Sequence, residues 1–437
     1  VLKALNNRDY RLLWIGQSVS HLGDQFHLIA LPWLVLALTG DPLQLGLLLA
    51  AAGLPRAVLM LVGGAIADRV SPRILMLVSD LVRLVIIGLL VVAIAAGTVQ
   101  MWMIYVLAIS FGIVGGFFLP AAEASLPRLL HSDQLSAGNS LMMIANQAAQ
   151  FVGPALAGTV IALAGNAVAG TDSTMTGITI AFGVDALTFG IGALSLWLMS
   201  PLPGFGSEHH PLKDVAIGLH YVWGHPTIRV LVIVIALANF LVTGPLLVGL
   251  PVLATQLPEG AAAFGLILSG YALGNLIGMG VAGAKPPTAR VMSWLGVAIF
   301  PILGVVYVTL AVANSTWVAA GFMVVGGVAN GYLAIAIITL MQQITPKHLI
   351  GRVMSLLMLS MFGLGPLSQV ISGAVLQYSL QGLFFGSALG LMIPAVLAWR
   401  HRSIWSFAST EPADPDDLAA GSDEQAAVVL HAGQPGS

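Results

Sequence analysis

Gly64-Ala-Ile-Ala-Asp68-Arg69-Val-Ser-Pro-Arg73-Ile-Leu-Met-Leu-Val-Ser-Asp80-Leu-Val-Arg83-Leu-Val-Ile-Ile-Gly-Leu-Leu-Val-Val-Ala-Ile-Ala-Ala96 is a charged turn leading into a long apolar run. A second apolar run, 43–66, stands just before the turn. A bilayer core about 30 Å thick is crossed by a helix of about 20 apolar residues. The stretch therefore reads as two membrane helices joined by a short polar connection.

Extending outward from that pair, apolar runs fall near 12–38, 43–66, 74–96, 101–121, 139–164, 178–200, 228–250, 262–284, 291–312, 317–340, 352–377 and 381–399. Twelve spans are predicted, making the chain an all-α membrane protein. Composition agrees. Of 437 residues 58% are apolar and 8% charged, with a mean hydropathy of +0.95, whereas soluble domains carry about 25% charged residues. The absence of cysteine excludes disulfides, thiolate metal sites and cysteine catalysis. The first residues are polar and charged up to Arg11, so a removable signal peptide is not expected.

Basic residues set the orientation. With the N-terminus in the cytoplasm, every Lys and Arg except Arg56 and Arg83 falls at a cytoplasmic end. An inner-membrane protein with both termini inside follows. The longest cytoplasmic connection, 201–227, divides the spans into an N-terminal six-helix bundle (1–200) and a C-terminal one (228–402). Within it Val215, Leu219 and Val222 suggest an amphipathic helix on the membrane surface. The segment 403–437 holds Glu411, Asp414, Asp416, Asp417, Asp423 and Glu424 and no Lys or Arg, and is expected to be a disordered acidic tail. The net charge of −2 hides this, because without those six acids the rest stands at +4. Ser140-Leu141 and Gly158 match Ser355-Leu356 and Gly373 at one constant offset, a faint internal repeat. Repeated halves with the substrate site between them are a common transporter plan.

The turn Gly64-Ala-Ile-Ala-Asp68-Arg69-Val-Ser-Pro-Arg73 resembles the signature loop of the major facilitator superfamily, with Ser71 in place of a Gly and Pro72 in place of a base. Asn7-Arg-Asp-Tyr-Arg-Leu-Leu-Trp14, Phe118-Leu-Pro-Ala-Ala-Glu-Ala-Ser-Leu-Pro127 and Gly153-Pro-Ala-Leu-Ala-Gly158 resemble its drug:proton antiporter branch, the one with macrolide and siderophore exporters. The resemblance implies two pseudo-symmetric six-helix bundles and export of a small molecule against protons. It also implies a conformational latch of Gly64, Asp68, Arg69, Arg73 and Glu123. In that latch Asp68 faces the start of helix eleven, where a helix dipole favours an anion, and Arg73 pairs with Glu123. Gly153, Pro154 and Gly158 form the helix-five motif, a bent and closely packed helix. The basic residue that another exporter branch carries in helix four is absent from 101–121.

Charged groups at membrane depth are costly and mark pathways. Asp24 and Arg56 lie at matching depths, about 20 and 18 Å from the cytoplasmic face at 1.5 Å per residue, so an ion pair between helices one and two is available. His21 shares a helix face with Asp24. Asp80 and Arg83, one turn apart, are expected to pair within helix three while Arg83 reaches another helix. Asp185 is a second candidate for proton coupling, or a structural hydrogen-bonding group. His21, Asn146, Gln147, Gln150, Asn239, Asn275, Asn330, Tyr332 and Gln369 are polar groups within helices that face either a substrate cavity or another helix.

No nucleotide-binding P-loop occurs, so an ion or solute gradient must supply the energy. No catalytic constellation argues for an enzyme. The expected partners are a small-molecule substrate, protons and lipid, with no cofactor, metal or nucleic acid, and the chain is expected to act as a monomer. A siderophore or lipid-like substrate, or a sensor that moves nothing, are the alternative readings.

Overall fold

The computed structural model describes residues 2–167, 173–202, 223–224, 226–284, 289–345 and 350–400. The expected linker helix and the tail 403–437 lie outside the described residues. So do the side chains of 61–69, and with them the latch roles expected of Gly64, Asp68 and Arg69.

Among the described residues the chain is helical without strands. Six continuous helices come first: α1 (Arg8–Thr39), α2 (Pro42–Arg69), α3 (Pro72–Ala95), α4 (Met101–Leu129), α5 (Ser132–Ala167) and α6 (Ser173–Leu198). α7 runs Pro226–Gly244, passes through a π-helical turn Pro245–Gly249 and ends as Leu250–Thr255. α8 (Ala261–Ala284), α9 (Ala289–Ala311) and α10 (Thr316–Ile344) follow. α11 is split into Ile350–Phe362 and Gly365–Leu376, and α12 into Leu380–Gly390 and Met392–Arg400. Eleven of these helices are long and apolar enough to cross a membrane, and α9 adds the apolar stretch Val297–Ala311. Exposed Trp102, Trp197, Trp317 and Trp399 sit near helix ends, as in the aromatic belts at membrane–water boundaries.

Two expected boundaries are corrected. α4 continues through Pro120 and Pro127 to Leu129, well past residue 121, and α5 begins at Ser132 rather than 139. Their ends project beyond the apolar slab and are held by protein partners: Asn7 Nδ2 donates to Leu129 O (2.7 Å) and the Tyr10 hydroxyl to Gly138 O (2.9 Å). Hydropathy detects the slab and not the helix that outruns it. The span expected at 352–377 is broken at 363–364, where Gly363 precedes Pro366 in the first turn of the outer segment. Proline removes a backbone donor and crowds the preceding turn. In the outer segment of α11, Ser368 Oγ bonds two backbone groups of α7, accepting from Gly244 N (2.9 Å) and donating to Phe240 O.

Small residues let backbones approach, the usual basis of helix association in lipid. A Cβ at Gly16 or Gly23 of α1 would overlap Ser195 or Thr188 of α6. Glycines of α8 and α10 interlock in the same way, Gly274 against Val324 and Gly327 against Tyr271. The first six helices meet the last six along two seams. In the α5–α8 seam Gly158 packs on the backbone of Ala261, Pro154 on Gly265, and Ser269 Oγ accepts from Ala155 N (3.0 Å). In the α2–α11 seam Gly373 packs on Pro42 and Leu43, Gly46 on Gln369, and Gln377 Nε2 donates to Asp41 Oδ1 (3.2 Å). Gly158 and Gly373, the pair matched by the internal repeat, thus hold corresponding places, each against the start of a helix in the other half. Both seams close toward the end of the bundle away from Arg8 and Arg400.

Candidate functional site

Asp24 stands at the centre of α1, about 24 Å from either helix end at 1.5 Å per residue. Its side chain is 41% exposed, and His21 Nδ1 lies 3.7 Å from its carboxylate. A carboxylate facing hydrocarbon at that depth is strongly unfavourable, so this exposure marks a polar space between helices. Arg56, on α2, is also exposed. The expected Asp24–Arg56 ion pair is not formed. Among the described residues no acid lies within 4 Å of Arg56, whose stem rests instead near Gly115 of α4. Equal depth on two helices was available, but the arginine side chain leans toward α4.

Arg83 takes an unexpected environment. It is buried, and its guanidinium carbon lies 5.3, 4.9 and 5.2 Å from the ring centres of Phe111, Phe118 and Phe189. Such a cage attracts a cation through the ring quadrupoles, each contact worth about 0.5–2 kcal/mol. Arg83 thus reaches α4 and α6, as a residue free to leave its own helix would. It does not pair with Asp80, contrary to expectation. One helical turn brings two Cβ atoms near each other, but the three rings draw the guanidinium away. Asp80 is fully buried and points between α1 and α6, beside Ser20 Oγ and Gly192. Neither its oxygens nor Ser20 Oγ has a hydrogen-bond partner.

Asp185 of α6 is fully buried against α1, with His27 Nδ1 3.3 Å from its Oδ2. Gly23, one turn before His27, leaves the room this approach needs: a Cβ there would stand 3.0 Å from Asp185 Oδ1. The His27 ring lies flat on Phe111, with centroids 4.3 Å apart and planes 8° from parallel. His27 and the three phenylalanines were not singled out in the sequence. The three-residue spacing from Asp24 to His27 was a usable signal, whereas the partner on α6 is invisible without the fold.

The remaining candidates separate into groups. Asn146 and Gln150 bond each other along α5, and Gln147 Nε2 lies 3.5 Å from Met279 Sδ across the α5–α8 seam. Asn239 donates to Ile235 O in its own helix (3.0 Å). Asn275 packs on Gly331 of α10, and Tyr332 follows at the same contact, near Gly278. Asn330 is half-buried beside it. Gln369 is buried within the α2–α11 seam and its Oε1 has no partner. Gln369 is therefore packed between helices in this conformation, whereas Asn275 is only half-buried. Arg73 is not paired with Glu123. Its Nε and Nη2 donate to Leu196 O and Trp197 O (both 2.7 Å), where the carbonyl end of α6 favours a cation. Arg8 Nη2 adds a third such bond, to Leu198 O (3.2 Å). Gly153 of the helix-five motif packs on Gln25 of α1, while Pro154 and Gly158 face α8. Among the described residues no cluster of three metal-binding side chains occurs.

Comparison with known proteins places this arrangement. A multidrug efflux pump, Tap, of Mycolicibacterium fortuitum is 26% identical over 405 residues, covering 89% of this chain and 94% of the pump. An inward-facing, unoccupied bacterial homologue of the human lysosomal transporter Spinster superposes with a TM-score of 0.71 at 15% identity, covering 93% of this chain and 99% of that one. The nucleoside transporter NupG gives 0.69 at 14% identity, covering 91% and 99%. The family model of the Major Facilitator Superfamily matches residues 13–370. Twelve helices among the described residues, two glycine-lined seams and this match agree: the chain belongs to the major facilitator superfamily, a family of transporters and not of enzymes.

Proposed function

We propose that this protein exports amphipathic small molecules across the inner membrane in exchange for protons, with Asp24 as the carboxylate that takes up the proton. Asp24 carries the reading. It sits at the centre of α1, with a side chain 41% exposed, beside the His21 imidazole and, among the described residues, more than 4 Å from every arginine. An acid at that depth that is partly exposed and in no direct arginine salt bridge can change its protonation as access changes. The efflux pump that aligns along nearly the whole chain favours export over import.

In the proposed cycle residues 1–200 and 228–402 move as two bodies with both termini in the cytoplasm. The α5–α8 and α2–α11 seams then close the outer side, and the cavity opens inward. Protonation of Asp24 removes a negative charge from the N-terminal body and shifts the balance between the two closures, an equilibrium that moves only through such differential interactions. The signature-loop residues Gly64, Asp68 and Arg69 latch the opposite state. Arg73 serves that latch indirectly, by fixing α6 to the start of α3.

The experiment uses purified protein in liposomes with ethidium as probe and an imposed proton gradient. Wild-type protein is expected to accumulate ethidium on the acidic side. Asp24→Asn is expected to lose that accumulation while still exchanging labelled for unlabelled ethidium without a gradient. Gradient-driven accumulation that persists in Asp24→Asn rejects the assignment.

A further inference from the structure

The α1–α6 packing encloses a carboxylate that its surroundings do not satisfy. Asp185 is fully buried, and neither of its oxygens has a hydrogen-bond partner. His27 Nδ1, at 3.3 Å, is the one basic nitrogen within 4 Å among the described residues. The imidazole is held in place, flat on Phe111 and edge-on to Phe182 at 5.8 Å. The groups that act on Asp185 electrostatically are His27 and, farther off, Asp24 from α1, and Arg83 from α3; α4 presents Phe111 here and no charge. Along α1 the residues His21, Asp24 and His27 recur every three positions, so they follow one another along the helix. Side-chain exposure falls from 28% and 41% at His21 and Asp24 to 14% at His27 and none at Asp185.

We propose that His27 and Asp185 form a second proton-binding site, distinct from Asp24. It rests on the proton-coupled reading and deepens it. With one proton present, either a neutral carboxyl faces a neutral imidazole or a carboxylate faces an imidazolium. Both arrangements leave the pair without net charge. Without the proton a bare carboxylate stands in an apolar shell, and such burial is strongly unfavourable. Loading places one proton from the cavity on the pair, on the imidazole or on Asp185, while Asp24 binds its own. Asp80 differs, because no imidazole adjoins it.

The test compares wild type, Asp185→Asn, His27→Gln and Asp24→Asn as full-length protein in liposomes. Infrared difference spectra between about pH 5 and 8, the range in which imidazoles change charge, report protonated carboxyl and imidazole groups and need no substrate. The pair's signal is expected in wild type and in Asp24→Asn, to vanish in Asp185→Asn and to shift in His27→Gln. Protons moved per ethidium are expected to halve in Asp185→Asn and in His27→Gln. Wild-type spectra and an unchanged ratio in those two variants, with Asp24→Asn inactive, would overturn the second site and leave the primary reading standing. Undiminished coupling in Asp24→Asn overturns both. Should Asp185→Asn fail to fold, His27→Gln decides alone.

Discussion

The helices before residue 200 and those after 226 solve the problem of working inside a membrane by different means. α1–α6 run unbroken and hold the charged side chains found at membrane depth: Asp24, Arg56, Asp80, Arg83 and Asp185. In α7–α12 the charges keep to the helix ends, yet α7, α11 and α12 are interrupted, by a π-helical turn or by a break. A buried charge requires a rigid surround that keeps its partners aligned, whereas an interrupted helix bends cheaply at the interruption. In the proposed cycle, sensing of the proton falls to the first half and bending to the second, and the two seams, made of backbone against backbone, link them.

That division is open to attack at several points. The largest effect is expected at Asp24. Asp24→Asn should lower gradient-driven accumulation by at least about tenfold, about 1.4 kcal/mol of lost driving force, whereas removing a polar group of the second half, as in Asn239→Ala, should leave the proton dependence intact. Comparing the two variants at equal membrane abundance checks this. Next comes Phe111→Ala. It removes the ring beneath His27 and one wall of the Arg83 cage together, and should destabilise the protein by about 3–5 kcal/mol, read as a fall in melting temperature in detergent.

Seam glycines are expected to matter less for stability and more for the balance of states. A Cβ at Gly265 would run into the Pro154 backbone, and overpacking of this kind costs about 1–3 kcal/mol. Gly265→Ala should loosen the α5–α8 seam and favour the opposite state, seen as a lengthened distance between labels on either side of it. Smallest is Ser269→Ala. It leaves Ala155 N–H without its partner across the same seam, a loss of about 1 kcal/mol, detectable as a small drop in melting temperature with transport retained.

Much of this was readable beforehand. Apolar run lengths located the membrane helices, the turn at 64–73 pointed to the family, and the distribution of Lys and Arg singled out Arg56 and Arg83 as the bases at membrane depth. What escaped reading has physical causes. Asp80 and Arg83 are neighbours in sequence, but aromatic rings from two other helices decide where the guanidinium rests. Asp185 and His27 meet only because Gly23 lets α6 approach α1, a contact that no local pattern encodes. The extension of α4 to Leu129 is met by Asn7, which binds Leu129 O, and the early start of α5 by Tyr10, which binds Gly138 O. In contrast, the break of α11 had a visible cause, Gly363-Leu-Gly-Pro366, which a count of apolar residues passes over.

Whether proton binding in the first half moves the seams is best read as a distance. The chain lacks cysteine, so Ala37→Cys with Tyr378→Cys places two spin labels at exposed positions beside the α2–α11 seam, one on α1 and one after α11. Measured in liposomes, the distance distribution should shift between short and long populations as the pH falls from about 8 to 5, and the shift should disappear when Asp24→Asn is added. A distribution that changes with pH equally in the presence and absence of Asp24, or that never changes, would contradict the coupling described here.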